Sequence, residues 1–205
     1  MAPAPGPFLR LAISVAGGSP PGRAPASSIE LVFDQFDPAG PVLGIDPGLS
    51  RCGYGIVARE RNQIRAVGCG VIRTPPDDAL PQRLLALDDE LRSLIADTRP
   101  SAVAVERVLF QSNARTAMSV GQASGLALVA AARVGIPVAL YSPNEVKLAV
   151  TGDGRADKAA VQMMVTRLLN LREIPKPPDA ADALALACCH LWRAPLAAQI
   201  REVVR

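Results

Sequence analysis

The chain has 205 residues, 49% of them hydrophobic, 20% charged and only 3% aromatic, with a formal net charge of +3. That length suits one well-cored domain and is short for two, and no apolar run reaches the roughly 18 residues that span a bilayer. The mild net charge hides a polarity: residues 77–106 carry 7 acids against 3 bases, and residues 107–176 carry 9 bases against 4 acids. Such a split is either surface scatter or a basic face for an anionic partner.

Residues 1–41 hold 8 prolines and 5 glycines around one short apolar patch, LAISVA at 11–16. A secretory signal needs a basic start and about 7–15 apolar residues, and Arg10 interrupts a patch already too short. The segment reads as a disordered N-terminal extension, or as the product of a start site placed too far upstream. From Val42 the pattern becomes regular. VLGID (42–46), CGYGIVAR (52–59) and IRAVGCGVIRT (64–74) read as three strands, with turn signals at Pro47-Gly48 and Arg61-Asn62. Leucines at 80, 84, 87, 91 and 94 make a helical stripe over 80–98, stopped by Pro100. SAVAVERV (101–108) follows as a fourth strand, then a long helix over 113–133 closed by Gly135, and IPVALYSP (136–143) as a fifth strand. Two short helices are expected near 144–150 and 157–169. After Pro175, Pro177 and Pro178 a last helix covers about 179–192, and 194–205 reads as a tail. Three strands joined by short turns, then alternating helix and strand, predict an α/β domain with a mixed five-stranded sheet flanked by helices.

The first strand ends on Asp46. A carboxylate buried at a strand end is costly unless a cation or a hydrogen-bond donor receives it. VAVE (103–106) also ends on an acid, Glu106, so if the two strands are neighbours both acids emerge at one edge of the sheet. Asp179 and Asp182 are three apart and share a helix face. They also lie in the first turn of that helix, where the dipole favours negative charge, so simple capping is the alternative for this pair. Crowded carboxylates repel one another unless a cation joins them, and an oxygen-only ligand set favours Mg²⁺ or Mn²⁺. Two such ions about 4 Å apart can stabilise both the attacking and the leaving oxygen of a phosphodiester. The acids alone point to metal-dependent phosphoryl chemistry.

GIDPGLSRCGYGIV, AVERV, VGQASG, NEVKLAVTGDGRADK and DAADALALA, in that order, resemble the RuvC family of bacterial Holliday-junction resolvases over about residues 42–193. The resemblance implies a ribonuclease-H-like fold and a homodimer. It also implies Mg²⁺-dependent cleavage of four-way DNA junctions in recombination and repair, with Mn²⁺ as a substitute and 5′-phosphate ends as products. Cooperation with the RuvA–RuvB branch-migration machinery comes from the same likeness. The family's catalytic, metal-holding acids match Asp46, Glu106, Asp179 and Asp182, some relatives having a histidine at the place of Asp179. Lys147 and Lys158 match lysines that the family sets against DNA near the cut; on residues alone they would be ordinary helix-surface lysines. Arg115 and Arg155 are candidate phosphate contacts. The TGDGRADK stretch lacks the Gly-Lys-Ser/Thr ending of a nucleotide-binding loop. One departure stands out: the aromatic that usually follows the glutamate by three residues is here Leu109, and the next residue, Phe110, is the candidate to stack on bases instead.

His190, the single histidine, lies eight residues past Asp182 and reads as structural. Cys52, Cys69, Cys188 and Cys189 have no zinc-type spacing, and reduced thiols fit a cytoplasmic location. Between 117 and 132 the long helix is apolar or small almost all round, which suits either a central core helix or a dimer interface. Two other readings are an actin- or Hsp70-like ATPase domain, which needs two related domains in a longer chain, and a cleavage-silent junction-binding module, which needs a lost acid.

Overall fold

The computed structural model describes residues 40–61, 63–107 and 114–204, with side chains described over 117–194 of the last span. Most of the expected extension, the loop carrying Leu109 and Phe110, and the side chain of Arg115 lie outside the described residues. Pro41 belongs with the folded domain rather than with the preceding segment. Its carbonyl accepts from the Ser101 backbone N–H at 2.8 Å and from the Ser101 hydroxyl at 3.2 Å.

Five strands form one mixed sheet in the order β3-β2-β1-β4-β5. β1 (Val42–Asp46), β2 (Arg51–Glu60) and β3 (Gln63–Arg73) form an antiparallel meander. β2 and β3 close through a two-residue turn, with Arg61 in the left-handed region at φ 54, as tight hairpins require. β4 (Ala102–Glu106) and β5 (Val138–Tyr141) are parallel additions on the other side of β1. These are the strands and the mixed sheet that the pattern predicts.

Alternation decides what each face of the sheet meets. Leu43 and Ile45 of β1, with Val103 and Val105 of β4, pack on one side against α1 (Leu80–Thr98) and α2 (Ala114–Arg133). The leucine stripe delivers Leu87 and Leu91, both fully buried, to that core. Val42 and Ala104 face the other side, where α3 (Pro143–Thr151), α4 (Lys158–Leu168) and α5 (Pro178–Val204) pack. α3 starts in a reciprocal capping box of Ser142 and Glu145, and α4 starts on Asp157, which accepts from Ala160 N–H at 2.7 Å. Both follow the usual chemistry of helix starts. α5 continues well beyond the expected end near Trp192, passing Pro195 to reach Val204. A proline's φ is itself a helical value, so the ring costs the helix a hydrogen bond without dictating that it stop.

Candidate active site

β1 and β4 are parallel neighbours with Ile45 paired to Val105, so the next residue on each, Asp46 and Glu106, ends the two strands side by side. Both acids follow the parity of Val42 and Ala104 and therefore point to the α5 face. Asp46 is largely shut off from water. Burial, then the charges of Glu106 and Asp182, pushes its carboxyl up to about 8. Burial likewise raises Glu106, whose oxygen accepts the hydrogen bond that Asp46 donates. The pair thus shares a proton where two anions would repel.

α5 brings two more acids to the same place because the sheet beneath it has almost no side chains. A Cβ on Gly44 would stand 2.0 Å from the Ala183 carbonyl oxygen, and one on Gly53 would stand 2.2 Å from that of Asp179. Gly53 is the β2 partner of Asp46. This close backbone approach is what glycine in a strand interior permits, and it sets the first turn of α5 directly over the end of β1. Asp182 there meets Lys158 Nζ at 2.6 Å. Partial burial works against the charge on Lys158, but Asp182, with Asp46 and Asp179 behind it, outweighs burial and raises the ammonium's pKa. Asp179 is held by Arg51, whose Nε and Nη2 both reach the same oxygen, Oδ2, with Nε at 3.1 Å.

A cavity of about 400 Å³ opens between these elements. Asp46, Glu106, Asp182, Lys147 and Lys158 line its polar side, and Pro143, Val146, Val161, Ala185 and Leu186 its apolar wall. Five of the expected site residues therefore meet in one place. Asp179 stands at the rim, close enough for its charge to act on Asp46 but outside the cavity lining. Arg155 is exposed in the α3–α4 loop, where its backbone N–H donates to Asp153 Oδ1 at 2.8 Å.

Among the described residues no three His, Cys, Asp or Glu side chains already form an ion cage. Two of the carboxylates are instead engaged by cations, Asp182 by Lys158 and Asp179 by Arg51. The donor set nonetheless fits a hard divalent ion, because every donor is a carboxylate oxygen. Clustered carboxylates whose repulsion is relieved by an ammonium and a guanidinium are a site where a divalent ion can take over that role.

The remaining titratable groups are structural. His190 is 2% exposed, its Nδ1 lies 2.9 Å from the Tyr141 hydroxyl, and burial lowers its pKa to about 4. Burial pushes the thiols of Cys52, Cys188 and Cys189 up to about 12, which removes them as nucleophiles. Sequence reading missed Arg51, which lies between two recognisable glycine motifs. It also passed over the meaning of Gly44 and Gly53, although glycine inside an apolar strand is itself a sign of close backbone approach.

Comparison with known proteins gives a consistent picture. The family model described as crossover junction endodeoxyribonuclease RuvC matches residues 42–190. A crossover junction endodeoxyribonuclease RuvC from Salinispora arenicola is 60% identical over 153 residues, covering 74% of this chain and 87% of that protein. One from Frankia casuarinae is 57% identical over 163 residues, covering 78% of this chain and 94% of its own length. Among solved structures, T. thermophilus RuvC in complex with a Holliday junction substrate superposes with a TM-score of 0.73 at 38% identity, over 77% of this chain and 96% of that one.

Proposed function

The chain belongs to the RuvC family of crossover junction endodeoxyribonucleases, and from that premise we propose how its own residues cut a four-way DNA junction. It has the ribonuclease-H-like fold of that family and acts as a nuclease of Holliday junctions in recombination and repair. A divalent metal is part of that chemistry. The observation that carries the finer reading is the cavity where Asp46, Glu106 and Asp182 meet Lys147 and Lys158.

In our reading Asp46, Glu106 and Asp182 hold the ion or ions, with Asp179 joining from the rim. A divalent ion bound there supplies positive charge to the attacking and leaving oxygens of the phosphodiester and acidifies the attacking water. Mg²⁺ is the ion we assign, with Mn²⁺ able to replace it and two ions as the full complement. Asp46 and Glu106 would serve as ligands in their ionised form, any proton held between them passing to solvent as the ion binds. Lys158 then exchanges its contact with Asp182 for an oxygen of the scissile phosphate, and Lys147, on the neighbouring helix, holds an adjacent phosphate. Hydrolysis leaves a 5′-phosphate and a 3′-hydroxyl. Arg155, exposed outside the cavity, and Arg115 are assigned as contacts to the DNA backbone, and Phe110 is the candidate for base stacking at the junction centre.

We also assign a homodimer, supported by the outer face of α2. Met118 and Val129 are 66% and 46% exposed, and nothing lies within 4 Å of a Cβ built at Gly121 or Gly125. A twofold axis through this stripe would set two sites on opposite strands of like polarity. Partnership with the RuvA–RuvB machinery and a cytoplasmic location follow from the family. Among the described residues no helix is long and apolar enough to cross a membrane.

The test is incubation with a synthetic immobile four-way junction and with a linear duplex of matched sequence, each with Mg²⁺ and with EDTA. Paired nicks in the junction with Mg²⁺ alone are expected. Equal cutting of the duplex, or cutting in EDTA, would refute the reading.

A further inference from the structure

Arg51 is a cation at the rim of the site, its backbone fixed in a pinned turn and its head half-exposed. The turn that precedes it is pinned by Thr74 and Arg83, which also hold each other. The Thr74 hydroxyl donates to the Leu49 carbonyl at 2.6 Å, Arg83 Nη2 donates to the Ser50 hydroxyl at 2.6 Å, and Arg83 Nε donates to Thr74 Oγ1 at 3.0 Å. Arg51 itself opens β2, and its side chain is 43% exposed while it grips Asp179.

The two cation–carboxylate contacts at the site differ in kind. Lys158 and its partner Asp182 both line the cavity, so this ammonium already stands where an incoming phosphate would lie. Arg51 and its partner Asp179 both stay outside the lining. Of the four carboxylates, the one that does not line the cavity is the one held by a guanidinium. Two donors on a single oxygen fix the direction of the carboxylate as well as its charge.

Resting on the metal reading above, we infer that Arg51 is a positioning residue acting through Asp179: it is a built-in counter-ion that holds this carboxylate at the rim and competes with a divalent ion for it. An ion entering the site gains Asp179 only as Arg51 lets go. The contact is partly exposed, so the competition is modest, of the size that solvent-screened ion pairs have. Its removal should tighten divalent-ion binding about two- to fivefold.

The experiment titrates metal-stripped protein with Mn²⁺ alone, read by calorimetry, in wild type, Arg51→Gln, Arg51→Lys, Asp179→Asn and the double variant Arg51→Gln/Asp179→Asn. Arg51→Gln is expected to bind Mn²⁺ about two- to fivefold more tightly than wild type. Arg51→Lys, which keeps the charge and loses the fork, should fall between them. In the Asp179→Asn background the Arg51→Gln change should have no effect, because coupling through Asp179 is then absent. Equal or weaker Mn²⁺ binding by Arg51→Gln would overturn the inference. So would an equal gain in the Asp179→Asn background, which would make Arg51 a mere nearby charge. If wild type takes up no Mn²⁺ at all, it is the metal reading itself that fails, and this result is distinct from the other two.

Discussion

On the side that meets α1 and α2, β1 and β4 present Leu43, Ile45, Val103 and Val105, all 1% exposed or less, to the leucines of α1 and the alanines of α2. On the other side the alternate positions are Val42, Gly44 and Asp46 on β1 and Ala102, Ala104 and Glu106 on β4. One face is filled with aliphatic volume along its length. The other keeps Val42 packed in the core but is emptied beside the acids, at Gly44 on β1 and Gly53 on β2, so that a helix backbone can settle on the sheet and bring the acids together. In our reading strand parity divides packing from chemistry, neighbouring residues of one strand such as Ile45 and Asp46 facing opposite sides. Aliphatic packing against α1 and α2 offsets the cost of carboxylates that repel one another and resist burial.

Breaking the filled face should cost stability and spare chemistry. Leu87→Ala deletes a fully buried side chain and should lower unfolding stability by about 2–5 kcal/mol. Urea denaturation measures the loss, while cleavage per folded molecule stays near wild type. Breaking the emptied face should cost both. Gly44→Ala puts a methyl group 2.0 Å from the Ala183 carbonyl, and overpacking of this sort costs about 1–3 kcal/mol. Because the displaced helix carries Asp182, junction cleavage should fall together with the urea midpoint.

A finer probe leaves the fold alone. Lys147→Ala should weaken junction binding and make its dependence on salt shallower, by roughly 0.9 in the slope of log K against log salt for one lost phosphate contact. Binding isotherms from low to moderate salt give that slope. An unchanged slope would separate Lys147 from the DNA backbone.

A last probe concerns the proton on the emptied face. The Asp46 carboxyl rises from its ordinary value of 3.8 to about 8 in the folded protein. Between those values the folded state holds a proton that the unfolded chain has released, so Asp46's contribution is fully present below about pH 4 and is lost as pH rises toward 8. Metal-stripped protein should therefore lose stability over that window. Asp46→Asn, which cannot titrate, should flatten the profile of melting temperature against pH, and an unflattened profile would assign the dependence elsewhere.

Much of this division could be read from the chain. VLGID and AVAVE are apolar runs that end in acid, and their period of two implies which positions share a face. The leucine stripe of 80–98 and the position of Gly135 likewise declare a helix and its end. What stayed hidden was non-local. The adjacency of β1 and β4 joins residues about sixty apart and depends on how the whole sheet is ordered. The grip of Arg51 on Asp179 spans 128 positions and leaves no periodic trace. Gly44 and Gly53 were legible as glycines, but what each makes room for is set by α5, far along the chain. The expected first-turn pair in fact splits, Asp179 in the first turn of α5 and Asp182 one turn on; beyond the family likeness, it is their approach to Lys158 and Asp46 that points to a site rather than to caps.

The central claim is that the acids on the emptied face perform the cleavage while taking little part in holding the fold. Junction cleavage by Asp46→Asn at saturating Mg²⁺, with its binding and melting temperature measured on the same preparation, tests this most directly. The account predicts cleavage below detection, junction binding close to wild type, and a melting temperature equal to or above wild type. Cleavage near the wild-type rate would contradict it, and would remove Asp46 from the chemistry altogether.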